Sequence, residues 1–385
     1  MRTQKTLQII CKISKFCNLR CNYCYEYPDL GKRDRMHLEE IGRMFASLRR
    51  YVDDNPGTES IVFYWQGGEP LLIKPEVYIA IGELSKVAFD GSVSVTHTVQ
   101  TNLTVLSPAW IEFLSERLFF TDVSISFDVV GEERVDVKGK SKNSVVLSNI
   151  QKLFDAGINF GAIAVVARHS VDEVRNIYRF YDELGVYMRF LPFYVSASAG
   201  QIEAHGLSAD QIVGALCAVF DEWISSETAT SVEPLNTYVE YALDFVQGIK
   251  PQSKDIALQE SMFLVTPNGD TWGIADMYVQ GTSYGNIFRD DFADMLRGPA
   301  RQKAWADARR RMDSVCKSCP YYGPCPGYAV AQASPDERVH IDKSGCILRA
   351  VLDHIVLRLN QTGIGDAIRN MASPARRGAA LEVTL

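Results

Sequence analysis

Short apolar runs alternate with amphipathic stretches through the first half of this chain, and that alternation restricts its fold more than any other feature. The apolar runs fall near residues 7–13, 59–64, 92–99, 121–127, 159–167 and 187–193. Between them, apolar residues recur at helical spacing near 37–52, 75–88, 107–116, 143–157 and 170–185. That period gives each helix one face to bury. Strands separated by helices pair in parallel through crossovers, so the pattern predicts an α/β fold of βαβ units around one sheet. Six strands suit an open, partial (β/α)6 barrel better than a closed eight-fold one. In such folds function gathers in the loops that follow the strands' carboxyl ends.

At 385 residues the chain exceeds a single core. It divides into the barrel, 1–194; a helical insert or linker, 195–260, with helices near 208–226 and 235–248; a turn-rich, cysteine-rich region, 261–361, closed by a helix near 345–361; and a tail, 362–385, that reads as frayed. A hydrophobic fraction of 46% and a charged fraction of 23% are those of an ordinary globular protein. A net charge of −7 without a basic block argues against a nucleic-acid partner. No apolar run reaches the length of a membrane span, and the amino terminus lacks a signal-peptide core. The nine cysteines therefore read as metal ligands in a reducing cytoplasm rather than as disulfides.

Three of those cysteines, Cys17, Cys21 and Cys24, form a CxxxCxxC loop directly after the first apolar run. Three thiolates can hold three irons of a four-iron, four-sulfur cluster and leave the fourth iron open to a ligand. The competing reading is part of a zinc site or a cluster that only carries electrons. Structural zinc takes four ligands, and no His or Cys nearby completes this set.

After the second run comes Trp65-Gln66-Gly67-Gly68-Glu69-Pro70. Paired glycines permit close backbone approach to a ligand, and Glu69 can accept hydrogen bonds from an ammonium. A cysteine triad with an aromatic residue, Tyr23, before its last member, followed one strand later by Gly-Gly-Glu-Pro, resembles the radical S-adenosylmethionine (SAM) superfamily over residues 7–193. The resemblance implies that Cys17, Cys21 and Cys24 bind the cluster. It implies that Tyr23 and the Gln66–Glu69 turn contact SAM, with Glu69 on the methionine amino group. Ser124, Ser126 and Asp128 resemble the family's ribose-contacting strand end, with Val129 where a glycine is usual. By spacing, Lys138 falls where relatives carry an arginine for the SAM carboxylate, and Leu191 falls among the SAM contacts. Gln100, Thr101 and Asn102 resemble a polar trio on the substrate side; a plain strand-ending turn is the competing reading.

Cys316, Cys319, Cys325 and Cys346 can close a second site, for zinc or for a fully ligated cluster. Behind such a barrel the spacing resembles the SPASM iron–sulfur extension of peptide-modifying radical SAM enzymes, which ordinarily carries two auxiliary clusters. Here Ala329 stands at the run's next cysteine position, and no cysteine occurs between Cys217 and Cys316. The resemblance thus implies one auxiliary cluster kept and the other lost, with Cys217 a core residue. The stretch Ala275-Asp276-Met277-Tyr278-Val279 looks like one in anaerobic sulfatase-maturating enzymes, where the Asp accepts a proton. Asp276 is the matching candidate, and a solvated turn residue the alternative.

The implied cofactors are SAM and two four-iron clusters. The implied reaction is one-electron cleavage of SAM to a 5′-deoxyadenosyl radical, with flavodoxin or ferredoxin as donor, followed by hydrogen abstraction. The expected substrate is a ribosomally made peptide, cross-linked or oxidised at a side chain. Since nothing precedes the first strand that resembles a leader-binding domain, leader recognition would need a separate protein or the 195–260 insert. Sulfatase maturation, small-molecule dehydrogenation and a non-catalytic iron–sulfur or zinc module are the alternatives.

Overall fold

A computed structural model describes residues 6–193, 199–249, 260–273, 279, 281–333, 337–338, 341 and 345–363. Six strands and five helices alternate as the sequence predicts. They run β1 (Thr6–Ser14), α1 (Leu38–Asp54), β2 (Ser60–Gly67), α2 (Pro75–Phe89), β3 (Ser94–Thr101) and α3 (Pro108–Ser115). The series continues with β4 (Asp122–Ser126), α4 (Asn143–Asp155), β5 (Gly161–Val166), α5 (Val174–Glu183) and β6 (Met188–Pro192). Helix starts carry recognisable chemistry. His37 N–H donates to Glu40 ahead of α1 at 2.8 Å, and Ser107 caps α3 with Pro108 in its first turn.

β1 to β6 pair in chain order and in parallel. Their outer face buries Leu7, Ile9, Phe63 and Trp65 against Phe45 and Leu48 of α1 and Tyr78 and Ile81 of α2. Alternate residues turn inward, so on the inner face Ile10 packs beside Met262 and Leu264 of an adjoining strand. With both faces covered, β1 is buried along nearly its whole length.

The sheet is wider than six strands. After α6 (Ala199–His205) and α7 (Ala209–Ser225), β7 (Val232–Glu233) pairs in parallel with β6, and α8 (Leu235–Val246) follows. β8 (Met262–Val265) pairs in parallel with β1, with Gln8 opposite Met262. β9 (Asp270–Gly273) and β10 (Gly285–Asn286) add antiparallel edges. These strands therefore extend the barrel sheet, and Phe263, Val265, Ile287 and Phe292 share its hydrophobic core, while Trp305, Met312, Cys316 and Val330 belong to a separate apolar cluster. The region from 261 onward also holds α9 (Phe292–Arg297) and α10 (Pro299–Val315), where the sequence suggested turns. α10 buries only Trp305, Ala308 and Met312, too few to produce a clear apolar stripe. The closing helix, Ile347–Thr362, packs on α7 and α8, with His354 and Arg358 both bonded to Asp221. No helix among the described residues is long and apolar enough to cross a membrane. The tail from residue 364 lies outside the described residues.

Candidate active site

The cysteine loop leaves the carboxyl end of β1, where parallel sheets collect their ligands. Neighbouring segments hold its shape. Cys17 N–H donates to Leu30, Arg20 N–H to Val135 and Asn22 N–H to Glu133, at 3.0, 2.7 and 3.0 Å. The Arg20 guanidinium folds back onto the carbonyls of Cys17 and Leu19 at 2.8 and 2.6 Å. The three thiols are close enough to act on one another's charge. Burial pushes Cys17 and Cys24 up to about 12 and raises Cys21. Without a metal the loop thus favours neutral thiols, and a bound cation reverses that preference because coordination requires the thiolate.

The glycine pair sits against this loop. Gly67 has φ +149°, and a Cβ there would lie 2.2 Å from the Ser14 carbonyl oxygen. A Cβ on Gly68 would lie 2.1 Å from the Phe16 carbonyl oxygen. Gly68 and Glu69 N–H groups donate to those same two carbonyls at 2.7 and 3.0 Å. The close approach the glycines permit is to the cysteine loop's own lead-in, where the sequence suggested a ligand.

Glu69 is fully buried. Its Oε1 accepts from Leu71 N–H at 2.9 Å and Thr101 Oγ1 at 2.6 Å, and its Oε2 from Asn102 N–H at 2.7 Å. One acceptor position remains on Oε2 for an outside donor. Burial raises the Glu69 pKa, while those hydrogen bonds act to lower it. Asn102 also directs Nδ2 at Cys17 Sγ, 3.7 Å away, so a single residue touches both a cysteine and the carboxylate. Thr101 and Asn102 therefore support the site's frame. Gln100 instead donates to Ser126 Oγ inside the barrel at 2.8 Å.

Asp128 is buried and bonded to the Tyr23 hydroxyl and to Val165 N–H. Val129, in the usual glycine place, takes φ +67°, a left-handed conformation costly for a β-branched residue. Ser124 and Ser126 face inward on β4, and Leu191 is half-buried on β6 beside Val165.

Lys138 does not reach this site. It is exposed on a turn whose backbone N–H bonds Asp136. The cation beside Tyr23 is Arg134, buried and donating to the Tyr23 hydroxyl at 3.0 Å. Among the described residues its Nε and both ring nitrogens of His169, stacked 5.9 Å from Tyr23, are buried without a hydrogen-bond partner. Orphaned polar groups next to a cysteine loop are what a missing polar ligand leaves behind. The donor set therefore fits a group carrying both an amine and an acid. No motif marks Arg134 or His169 in the sequence. Lys12, buried on β1 and paired with Glu26 at 2.8 Å, was visible only as a charge inside an apolar run.

Cys316 ends α10, Cys319 and Cys325 follow in the next loop, and Cys346 precedes the closing helix. The four act on one another's charge, and burial pushes Cys316 up to about 12 and Cys325 up to about 11. A Cβ on Gly327, φ +81°, would lie 3.2 Å from Cys316 Sγ, so this glycine keeps the thiol's space open. Ala329 is exposed and contributes nothing inward. Cys217 is half-buried on α7 rather than fully in the core. Asp276 and Ala275 lie outside the described residues.

Residues 11–181 match the family model described as the radical SAM superfamily. A serine-type anaerobic sulfatase-maturating enzyme of Bacteroides thetaiotaomicron is 23% identical over 345 residues, covering 84% of this chain and 82% of that one. The structure of anSMEcpe with bound AdoMet and Cp18Cys peptide superposes at a TM-score of 0.67 with 18% identity, covering 97% of this chain and 99% of the other. Streptococcus suis SuiB bound to its precursor peptide SuiA gives 0.58 with 17% identity, covering 90% and 76%. The two structures share the fold.

Proposed function

Residues 11–181 being a radical SAM domain, we propose that this enzyme removes a hydrogen atom from a side chain of a ribosomally made peptide and cross-links or oxidises it. The observation that carries the site is Asn102, bonded at once to Cys17 and to Glu69. Cys17, Cys21 and Cys24 would hold the cluster, Glu69 Oε2 the SAM ammonium, Arg134 its carboxylate and Tyr23 its adenosine end. SAM and the cluster together supply one-electron cleavage of a carbon–sulfur bond and thereby a hydrogen-abstracting carbon radical. The protein's part is to orient and enclose. Gln100 and Ser126, hydrogen-bonded to each other on the inner face of the sheet, would line the substrate side. Asp276 is the proton acceptor in this reading, on resemblance alone.

Cys316, Cys319, Cys325 and Cys346 would hold an auxiliary cluster, whose chemistry would be one-electron transfer. Among the described residues no three His, Cys, Asp or Glu side chains converge tightly enough for a single ion. The SPASM-like spacing of the four cysteines is what supports a cluster over zinc. A flavodoxin or ferredoxin would supply electrons, and a separate protein could present the leader.

A peptide substrate is supported by fold neighbours whose structures contain peptides, among them anSMEcpe with Cp18Cys and SuiB with SuiA. Sulfatase maturation is the second reading, supported by the Bacteroides relative, which spans more than four-fifths of the chain. Mass spectrometry after anaerobic incubation separates them. Cross-linking of a precursor peptide and oxidation of a sulfatase serine both remove two hydrogens, but only the aldehyde is captured by a hydrazide. Hydrazide capture of a sulfatase peptide, with precursor peptides unchanged, would overturn the first reading.

A further inference from the structure

We infer that Lys12 is a positioning residue that clamps the end of the cysteine loop to the Gly-Gly-Glu-Pro turn. The inference rests on the reading of those two segments as the cofactor-holding elements. Lys12 lies on β1 in line with Gln8 and Ile10, so its side chain points into the barrel, and it is 4% exposed. A buried ammonium is tolerated only when its three N–H donors are matched. Three acceptors among the described residues face this one. Tyr25 Oη stands at 2.6 Å, Glu26 Oε1 at 2.8 Å and Gln66 Oε1 at 3.5 Å.

The identity of those acceptors is what matters. Tyr25 and Glu26 directly follow Cys24, and Gln66 directly precedes Gly67-Gly68-Glu69. Gln66 is also the register partner of Lys12 across the β1–β2 ladder. One ammonium thus joins the chain leaving the last cysteine to the chain entering the Glu69 turn, from inside the barrel. Gln201 holds the opposite side of the loop through the carbonyls of Asn22 and Cys24.

Stability alone does not explain the arrangement. A buried ion pair is commonly replaced by apolar residues of similar volume at no loss of stability. Apolar side chains at both Lys12 and Glu26 would fill the same space, whereas methionine at Lys12 alone strands the Glu26 carboxylate. What methionine cannot do is hold Glu26 and Gln66 in fixed positions, and residues that orient ligand-bearing segments typically matter about 10–100-fold for binding.

The test uses anaerobically prepared, iron-loaded protein. Lys12→Met is expected to keep its iron content, with a melting temperature lowered by the Glu26 carboxylate it leaves buried without its cation. Its amides at residues 24–27 and 66–69 should exchange hydrogen faster while those of β5 and β6 do not, and SAM, by calorimetry, should bind about 10-fold more weakly. Lys12→Arg, which keeps the charge on Glu26, should recover most of that affinity. Unchanged exchange and affinity in Lys12→Met would overturn the inference. So would a uniform rise in exchange that includes β5 and β6, which would make Lys12 general core support. If Lys12→Met does not fold, Glu26→Gln is judged by the same two readouts. A wild-type protein that binds no SAM would defeat the reading of the site, while the exchange comparison would still decide on Lys12.

Discussion

Replacing Glu69 with glutamine keeps the side chain's shape and removes its charge, which isolates what the carboxylate does. In the native site three donors converge on it, from Leu71, Thr101 and Asn102. A glutamine oxygen can take the place of Oε1 and accept the first two. Its NH2 group then faces Asn102 N–H, donor against donor, in a fully buried position. A lost charged hydrogen bond costs about 1.5–3 kcal/mol, and a stranded buried donor adds to it. Against this, glutamine escapes the burial penalty that raises the Glu69 pKa. The balance is a loss of about 1–2 kcal/mol. The loss depends on pH. A carboxyl whose folded pKa is raised contributes stability that is fully present below its unfolded value of 4.5 and is lost as pH rises through the folded value. The gap between wild type and Glu69→Gln should therefore be widest below 4.5 and narrow as pH rises. Removing the partner of the SAM ammonium should also weaken SAM by about 10–100-fold, the equivalent of one charge-assisted contact. Denaturant unfolding at two pH values and calorimetric SAM titration measure both effects. A variant that binds SAM like wild type would refute the assignment of Glu69.

Three further outcomes follow from the geometry. Val129→Gly removes a left-handed β-branched residue at φ +67°; relief of about 1–2 kcal/mol outweighs the glycine entropy cost of about 0.5–1 kcal/mol. Its unfolding midpoint should match or exceed wild type, and a marked drop would contradict the strain. Burial lowers His97 to about 3, with its Nδ1 accepting from the Trp65 indole. Its contribution is present above pH 6.5 and falls away toward pH 3, by up to about 1.4 kcal/mol per unit. His97→Gln should flatten that acid limb in urea titrations. Cys346→Ser should reduce the iron count from about eight to about four per chain while SAM cleavage with a chemical reductant persists; an unchanged iron count would remove Cys346 from the second site.

The barrel was legible because six runs and five helical stripes are long enough to show their periods. The predicted helix near 143–157, for example, is α4 at 143–155. β7 and β8 were not legible, because two and four residues are too few to show alternation. The cysteine loop and Glu69 could be read because their chemistry lies in contiguous sequence. Lys138 misled because spacing counts positions along a chain. The stretch from 134 to 142 folds back on Asp136, which accepts from the backbone of both Lys138 and Lys140. That fold turns Lys138 to solvent and leaves Arg134 beside Tyr23. The glycine pair was legible as a need for space, but the neighbour requiring it, the Ser14–Phe16 backbone, emerges only when β1 and β2 are paired.

The most direct test is reductive cleavage of SAM by the reconstituted protein and by a variant with Cys17, Cys21 and Cys24 all changed to alanine. Wild type should hold about eight irons and release 5′-deoxyadenosine under a strong reductant, and the triple variant should keep about four irons and release none. A triple variant that still cleaves SAM, or a fully iron-loaded wild type that does not, would contradict the account.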